Sequence, residues 1–156
     1  MTNVIPTDWF EELVNAWAFE VNGFQRVISK GIRSGKDYPK QISAAGSFPV
    51  ALSRVEGISP SIAASGSVLR YYGRTEIYVT PNNELENEPD TLVWMSTILG
   101  VAGANMSLNG KVQEFSIPDE QDAIIPAAIQ YNDADNYHWG FAIRWVVTVP
   151  AVIDVA

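Results

Sequence analysis

The chain has 156 residues, no cysteine and a formal net charge of −8 at pH 7. This length is typical of one domain and is sufficient for a hydrophobic core. The lack of cysteine excludes disulfides and thiolate chemistry, and the negative charge disfavours a protein that binds nucleic acid by neutralising phosphates. The first residues do not resemble a secretory signal, and no apolar run is long enough for a membrane span. We therefore expect a single domain over residues 1–156 that is not inserted in a membrane.

The charges are unevenly distributed along the chain. Residues 1–75 include eight basic and six acidic side chains, whereas residues 76–156 include two basic and twelve acidic ones. Such a division can produce one basic and one acidic surface, which would help copies of the chain to meet head to tail. Two separately solvated faces would explain the same distribution.

The first predicted element is an amphipathic helix over residues 7–30. Asp8 and Glu11 resemble a capping box in which Asp replaces Ser or Thr. Apolar residues from Phe10 to Ile28 recur at helical spacing and predict one buried stripe. Gly23 would weaken the middle of this helix, so a bend or an early end there is the alternative.

Residues 31–47 are rich in Gly, Ser and Lys, and they predict a mobile loop. This loop is longer than most connections in compact domains, and it lacks the GxxxxGK[ST] pattern of a phosphate-binding loop. We interpret it as a segment that contacts a partner or becomes ordered on assembly, with a plain linker as the alternative. Its candidate contact residues are Lys36 and Lys40.

Two strands are predicted next, over residues 48–56 and 68–80, separated by a turn-rich loop. Alternation along the second strand predicts a core side that includes Leu69 and Ile77, opposite an outward side of mixed Arg and Tyr. Tyr and Arg are enriched at the cores of protein interfaces. The predicted subunit or partner interface comprises Arg70, Tyr72, Arg74, Glu76 and Tyr78. A solvated strand face is the alternative.

An acidic loop follows at residues 82–90, and its spacing does not match a calcium-binding loop. Asp90 is predicted to cap a second helix over residues 91–103, whose wide apolar face suits packing on a sheet. A short strand is expected after Lys111, over residues 112–117. An irregular strand over residues 124–131 contains Pro126, which restricts it to an edge or a bulge.

A hairpin turn is predicted at residues 132–136, before the strongest strand pattern of the chain. Every second residue of that strand is bulky and apolar, so one side of it forms the predicted floor of the core. These residues are Tyr137, Trp139, Phe141, Ile143, Trp145, Val147 and Val149. The apolar tail at 150–156 is expected to pack on the domain or on a neighbour. The pattern predicts an α+β fold, with a mainly antiparallel sheet of about four strands and two helices packed on one face.

Candidate chemistry is sparse in this sequence. His138 is the sole histidine, no GxSxG elbow or GxGxxG loop is present, and the acids of the 119–122 turn lack further ligands. A small hydrolase would require His138 beside a serine or a carboxylate. We expect that the protein is not an enzyme and that it binds neither a metal nor a cofactor.

The order of the elements resembles the tail terminator (tail completion) proteins of long-tailed bacteriophages. The resemblance rests on the initial helix, the FPVALSRVEG strand, the strand that ends in EIYVTP, the helix with Trp94–Met95, and the closing strand HWGFAIRWVVTV. It extends over most of residues 7–150. The basic loop at 31–47 and the apolar tail after Pro150 depart from the pattern of the family.

The resemblance implies a homo-hexameric ring in the virion, at the head-proximal end of the tail, assembled in the host cytoplasm. Such a ring would cap the tail tube, end its polymerisation and join a head-completion or connector protein, while DNA passes through without specific binding. Arg70 and Arg74 are expected to contact an acidic face of the adjoining subunit. Charge alone predicts lumen-facing acids at Glu84, Glu86, Glu88 and Asp90. The alternatives are another neck or tail-tube component and a monomeric ligand-binding module.

Overall fold

The computed structural model describes residues 3–21, 25–37, 48–130 and 137–153. The helices within these ranges are α1 (Trp9–Ala16) and α2 (Thr91–Ala104). The strands are β1 (Glu20–Val21), β2 (Gln25–Arg26), β3 (Ile28–Ile32), β4 (Val50–Ser61), β5 (Ser67–Tyr78), β6 (Glu114–Ser116), β7 (Ile124–Gln130) and β8 (Tyr137–Ala151). The α+β prediction is confirmed, but the expected number of about four strands is too low.

The strands form two sheets, of which the smaller is the antiparallel pair of β1 and β2. The larger sheet has the order β3-β4-β5-β8-β6, and β7 pairs with the same edge of β8 as β6. Only the β3–β4 pair of this sheet is parallel, which confirms the mainly antiparallel prediction. Pro126 lies in the edge strand β7, where its missing amide hydrogen costs no ladder bond.

The predicted core row of β8 is buried from Phe141 to Val149, whereas Trp139 is only partly buried, and both helices cover that face of the sheet. Trp94 of α2 stacks on Phe141 with ring centroids 5.7 Å apart, and Trp9 of α1 meets Trp145 edge-on at 6.1 Å. Aromatic pairs of this kind add to the burial of their apolar area. The placement of two helices on one face is therefore as predicted, although Tyr137 at the start of the row is exposed.

The helix predicted over residues 7–30 is much shorter and ends at Ala16. After Trp17 the chain becomes extended, and Ile28 and Ile32 lie in β3, paired with β4. These β-branched side chains fit a pleated surface, and the main-chain hydrogen bonds offered by β4 outweigh a helical spacing of apolar residues. The alternative of a break at Gly23 concerns a residue outside the described ranges.

The predicted loop at 31–47 begins later than expected, because Gly31 and Ile32 belong to β3. The amides of Arg33 and Ser34 both donate to the carboxylate of Asp37, at 2.9 and 3.1 Å, and hold a tight turn. Residues 38–47, to which the mobile-loop prediction mainly refers, lie outside the described residues. The predicted turn at 132–136 does as well.

Strand β4 is longer than predicted and includes much of the expected 57–67 loop. A register shift between Val55 and Gly57 marks a bulge, after which Ile58 pairs with Tyr71 and Pro60 with Leu69. The apolar tail also begins as sheet, because Pro150 and Ala151 belong to β8. The next residue, Val152, exchanges two backbone hydrogen bonds with Val4, at 2.6 and 2.9 Å.

Candidate functional site

The face of the large sheet that points away from the helices contains three arginines side by side. Arg54, Arg74 and Arg144 are direct cross-strand partners on β4, β5 and β8, and we call them the arginine row. Like charges in directly opposed positions destabilise a sheet unless they are neutralised. The row therefore requires negative charge nearby.

Acidic side chains on the same face supply that charge. The Glu76 carboxylate lies 3.3 Å from the guanidinium of Arg54 and 3.5 Å from that of Arg74. The Glu120 carboxylate lies 2.8 Å from the guanidinium of Arg144. The Glu56 carboxylate lies 4.0 Å from the guanidinium of Arg74, and the Asp122 carboxylate lies 3.2 Å from that of Arg144. The row is thus compensated within its own molecule, and it is not an open site for an anion.

The predicted interface residues on β5 differ in what they expose. Tyr72 is 42% exposed, whereas Arg74 and Glu76 are occupied by the ion pairs of the row. Tyr78 is only 1% exposed, so its predicted place on an outward surface is wrong. It packs with Val50 and Leu52 in a second apolar cluster, which the sequence alternation did not reveal because it depends on β4.

Arg70 differs from the other arginines of this face. Its side chain is exposed and makes no hydrogen bond or ion pair with any of the described residues. It pairs across the sheet with Thr148 and Ser59. We call the concavity around it the Arg70 groove, lined by Ser59, Ser61, Val68, Arg70, Gln113 and Thr148. As far as the described ranges show, this groove offers a cation without an ion pair, together with residues that carry hydroxyl groups.

Of the two lysines of the predicted interface, Lys40 lies outside the described residues. Lys36 is exposed in a short 3-10 turn, Gly35–Asp37. Just before it, the guanidinium of Arg33 lies 3.3 Å from the carboxylate of Glu11 and over the ring of Phe10. The structure does not bring Lys36 into the arginine row.

The acidic loop, residues 82–90, is anchored at the start of β8. The indole nitrogen of Trp139 donates to the backbone oxygen of Glu84 (2.9 Å), and the Trp139 amide donates to that of Asn82 (3.1 Å). The side chains of Glu84, Glu86 and Glu88 are exposed, and within the described part of the chain they form no ion pair. The loop therefore presents negative charge on a fixed backbone.

Asp90 has the capping role that its position predicted. Its carboxylate accepts a hydrogen bond from the amide of Val93 (3.3 Å), within the first turn of α2. Such a cap satisfies one of the amides that a helix start leaves without a partner.

The outer surface of α2 is apolar, a feature that the sequence analysis missed. Residues 91–110 contain no charged side chain, although charged residues make up 18% of the chain. We define the α2 outer face by its exposed residues Leu92, Ser96, Leu99, Gly103 and Met106. Leu92 is 80% exposed and Leu99 53%. The sequence does indicate this surface, because residues 91–110 form a longer uncharged stretch than a helix with one buried side requires.

His138 is buried beneath the second apolar cluster. Its ring stacks on Phe48 with centroids 5.7 Å apart, and its Nδ1 lies 3.2 Å from the backbone oxygen of Thr80. Because the Thr80 carbonyl oxygen can only accept, Nδ1 is the ring nitrogen that donates this hydrogen bond. In the described residues neither ring nitrogen bonds a serine or a carboxylate, so the geometry that a hydrolase would need at His138 is not formed there.

Within the described ranges no three His, Cys, Asp or Glu side chains are grouped so that they could hold a metal ion. None of the helices described is both long and apolar enough to cross a bilayer. The sequence matches no protein-family model, and a search of curated proteins gives no significant match. The surfaces described above are therefore the basis for a functional proposal.

Proposed function

We propose that this protein is a structural virion protein of a long-tailed bacteriophage, which forms a homo-hexameric ring at the head-proximal end of the tail. The ring caps the tail tube, ends its polymerisation and joins the tail to the head connector. Its partners are copies of itself, the tail tube protein and a head-completion or connector protein. DNA passes through the ring without specific binding.

The α2 outer face is the observation that supports this proposal most strongly. An exposed apolar patch on a globular protein marks a site of protein interaction, and a helix that is apolar on its outer side needs a partner. The open face of the sheet lies on the opposite side of the molecule, with the polar arginine row. Two unlike surfaces on one subunit allow the head-to-tail contacts from which rings are built.

The element order also supports the proposal. The helix α1, the strands β4 and β5, the helix α2 and the closing strand β8 follow one another in the order on which the resemblance to tail terminators rests. The resemblance implies the ring and its place in the tail. The surfaces of this chain supply a physical reason for assembly.

A monomeric ligand-binding module is the second candidate. A groove between α1 and the edge of the sheet has a volume of 290 Å³, and residues with large apolar surfaces line it. These include Trp9, Phe10, Ile32, Val55 and Tyr71. Ligand sites are usually concave and apolar, with volumes of about 300–1,000 Å³, so this groove is at the small end of that range.

Sedimentation velocity and negative-stain microscopy of the purified protein test the proposal. We expect a ring of about six copies. The substitution Leu99→Glu should prevent assembly without lowering the thermal midpoint, because Leu99 is exposed and its change removes little core packing. Val4→Glu is the matched control, because Val4 is 54% exposed against 53% for Leu99 and lies outside both the α2 outer face and the acidic loop.

A functional assay distinguishes the tail terminator from its neighbours in the tail. Added to purified tail tube protein, the ring should stop tube growth, whereas the Leu99→Glu variant should not. A single chain at every concentration would contradict the proposal and favour the ligand-binding module. A ring that leaves tube growth unchanged would favour another neck component.

A further inference from the structure

The Arg70 groove has the chemistry of a carboxylate site. The guanidinium of Arg70 is exposed and has no partner among the described residues, and the hydroxyls of Ser59, Ser61 and Thr148 line the same concavity. A guanidinium flanked by hydroxyl donors suits a carboxylate, which accepts hydrogen bonds only. Glu114 is the partner of Thr148 on the far side of β8, so Thr148 lies between it and Arg70, and the two charged residues form no ion pair.

The acidic loop has the complementary property. Glu84, Glu86 and Glu88 are exposed, and no cation of the described chain pairs with them. The bonds from Trp139 to the backbone oxygens of Asn82 and Glu84 anchor the loop that carries these carboxylates at the start of β8. Among the described residues, the protein thus has a cation without an ion pair in a polar groove and anions without an ion pair on an anchored loop.

These two surfaces cannot meet within one molecule. Arg70 is paired with Thr148, near the end of β8, whereas the acidic loop is anchored at Trp139, near the start of the same strand. The strand from Trp139 to Thr148 spans about 30 Å at roughly 3.3 Å per residue. An arginine side chain cannot bridge that distance.

We infer that Arg70 of one copy binds carboxylates of the acidic loop of a second copy of this chain. The contact joins opposite ends of the strand pair β5–β8, so it is heterologous and repeats from subunit to subunit until a ring closes. This inference rests on the proposed ring and specifies the contact between its subunits. Arg70 and Arg74 were both expected to contact an acidic face of the adjoining subunit. Only Arg70 keeps this role, because Glu76 and Glu56 already neutralise Arg74.

The inference also gives the acidic loop a position in the ring. Glu84, Glu86 and Glu88 would lie at the boundary between subunits, rather than line the lumen. Because the pairs are ionic and exposed, the contact should weaken as the salt concentration rises.

A charge-swap experiment on the full chain tests this contact. The variants are Arg70→Glu, the triple variant Glu84→Lys, Glu86→Lys and Glu88→Lys, and the combination of both. Arg26→Glu is the control, because Arg26 is an exposed arginine on β2 that pairs with Glu20 of its own molecule. The dissociation constant of assembly is measured by sedimentation equilibrium, and circular dichroism confirms that each variant folds.

We expect Arg70→Glu and the triple variant each to raise the dissociation constant about 10–100-fold, or about 1.4–2.8 kcal/mol, because each reversal places like charges against each other at the interface. The combination should restore assembly to within about tenfold of the natural chain, because the two charged surfaces are exchanged together. The Arg26→Glu control should assemble normally.

Each outcome is decisive. If the natural chain forms a ring and both reversed variants assemble equally well, this inference is wrong while the proposed ring stands. If each reversal disrupts the ring but the combination does not restore it, Arg70 and the acidic loop contact different groups. A natural chain that stays single at all concentrations overturns both proposals.

Discussion

Trp145 lies directly against Gly73, its cross-strand partner on β5, and the two strands leave no space for a side chain at that glycine. A Cβ atom on Gly73 would lie 2.2 Å from two atoms of the indole and 2.7 Å from the backbone oxygen of Arg54. The lack of a side chain at Gly73 is therefore what allows β8 to place Trp145 in the core.

Replacing Gly73 by Ala should destabilise the fold by about 1–3 kcal/mol, the usual cost of overpacking a core. The indole cannot easily move aside, because it is 1% exposed and packs against the rings of Trp9 and Phe115. Urea denaturation measures the change. Gly57→Ala on β4 is the control, since no atom lies within 4 Å of its Cβ, and it should stay within about 0.5 kcal/mol of the natural chain. Equal losses at both glycines would contradict this account.

A buried polar chain links three strands and gives a second prediction. The Trp145 indole nitrogen donates to the hydroxyl of Thr75 (3.0 Å), which also bonds the hydroxyl of Ser53 (2.8 Å). Thr75→Val keeps the shape but leaves these two groups without a partner, so the free energy of unfolding should fall by about 1–3 kcal/mol or more.

The matched variant is Thr75→Ser, which keeps the hydroxyl and loses a methyl group. It should cost about 1 kcal/mol, less than the valine variant. The emission of the buried tryptophans should shift with Thr75→Val and change little with Thr75→Ser. A valine variant as stable as the serine variant would show that the hydrogen bonds contribute nothing net.

An ion pair between Asp8 and Lys111 predicts a dependence of stability on pH. The Lys111 ammonium donates to the Asp8 carboxylate at 3.0 Å and thereby lowers the pKa of Asp8 from its usual 3.8. The same bond raises the pKa of Lys111 from its usual 10.5. The pair ties the start of α1 to the segment before β6.

At neutral pH the natural chain should therefore have a slightly higher thermal midpoint than Asp8→Asn. The advantage is fully present above the ordinary pKa of Asp8 and is lost as the pH falls through its lowered value. It is also lost as the pH rises through the raised pKa of Lys111. Lys111→Gln should give the same profile, and the double variant should be no less stable than either single one. An advantage that persists in strong acid would argue against this pair as its source.

The cap of α2 gives a prediction that separates helix stability from net charge. Asp90→Ala should lower the free energy of unfolding by about 1 kcal/mol, because the Val93 amide loses its acceptor. Asp90→Asn removes the charge but keeps a side-chain oxygen, and it should cost a few tenths of a kcal/mol, roughly. Thermal denaturation measures both variants. A loss as large for Asn as for Ala would mean that the charge, and not the cap, matters at this position.

The predictions that held are those that depend on neighbours in sequence. The core side of β8 follows from alternation, and α2 follows from an apolar run after a capping Asp90. The predicted helix over residues 7–30 failed beyond Ala16, because β3 obtains its hydrogen bonds from β4, more than twenty residues further along the chain. The burial of Tyr78 was missed for the same kind of reason, since its apolar neighbours Val50 and Leu52 come from another strand.

The sequence by itself determined the α+β class, the closing strand with its buried side, and the separation of basic from acidic residues. Only the tertiary structure decided which charges remain available for a partner. Strand register sets Arg74 between Arg54 and Arg144 and beside Glu76, so that it is neutralised in place, while Arg70 on the same strand pairs with none of the described acids. Alternation and capping act over a few residues and can be read from the chain, whereas register results from hydrogen bonding between distant segments. That is why the side of a strand was predictable and the partner of a charge was not.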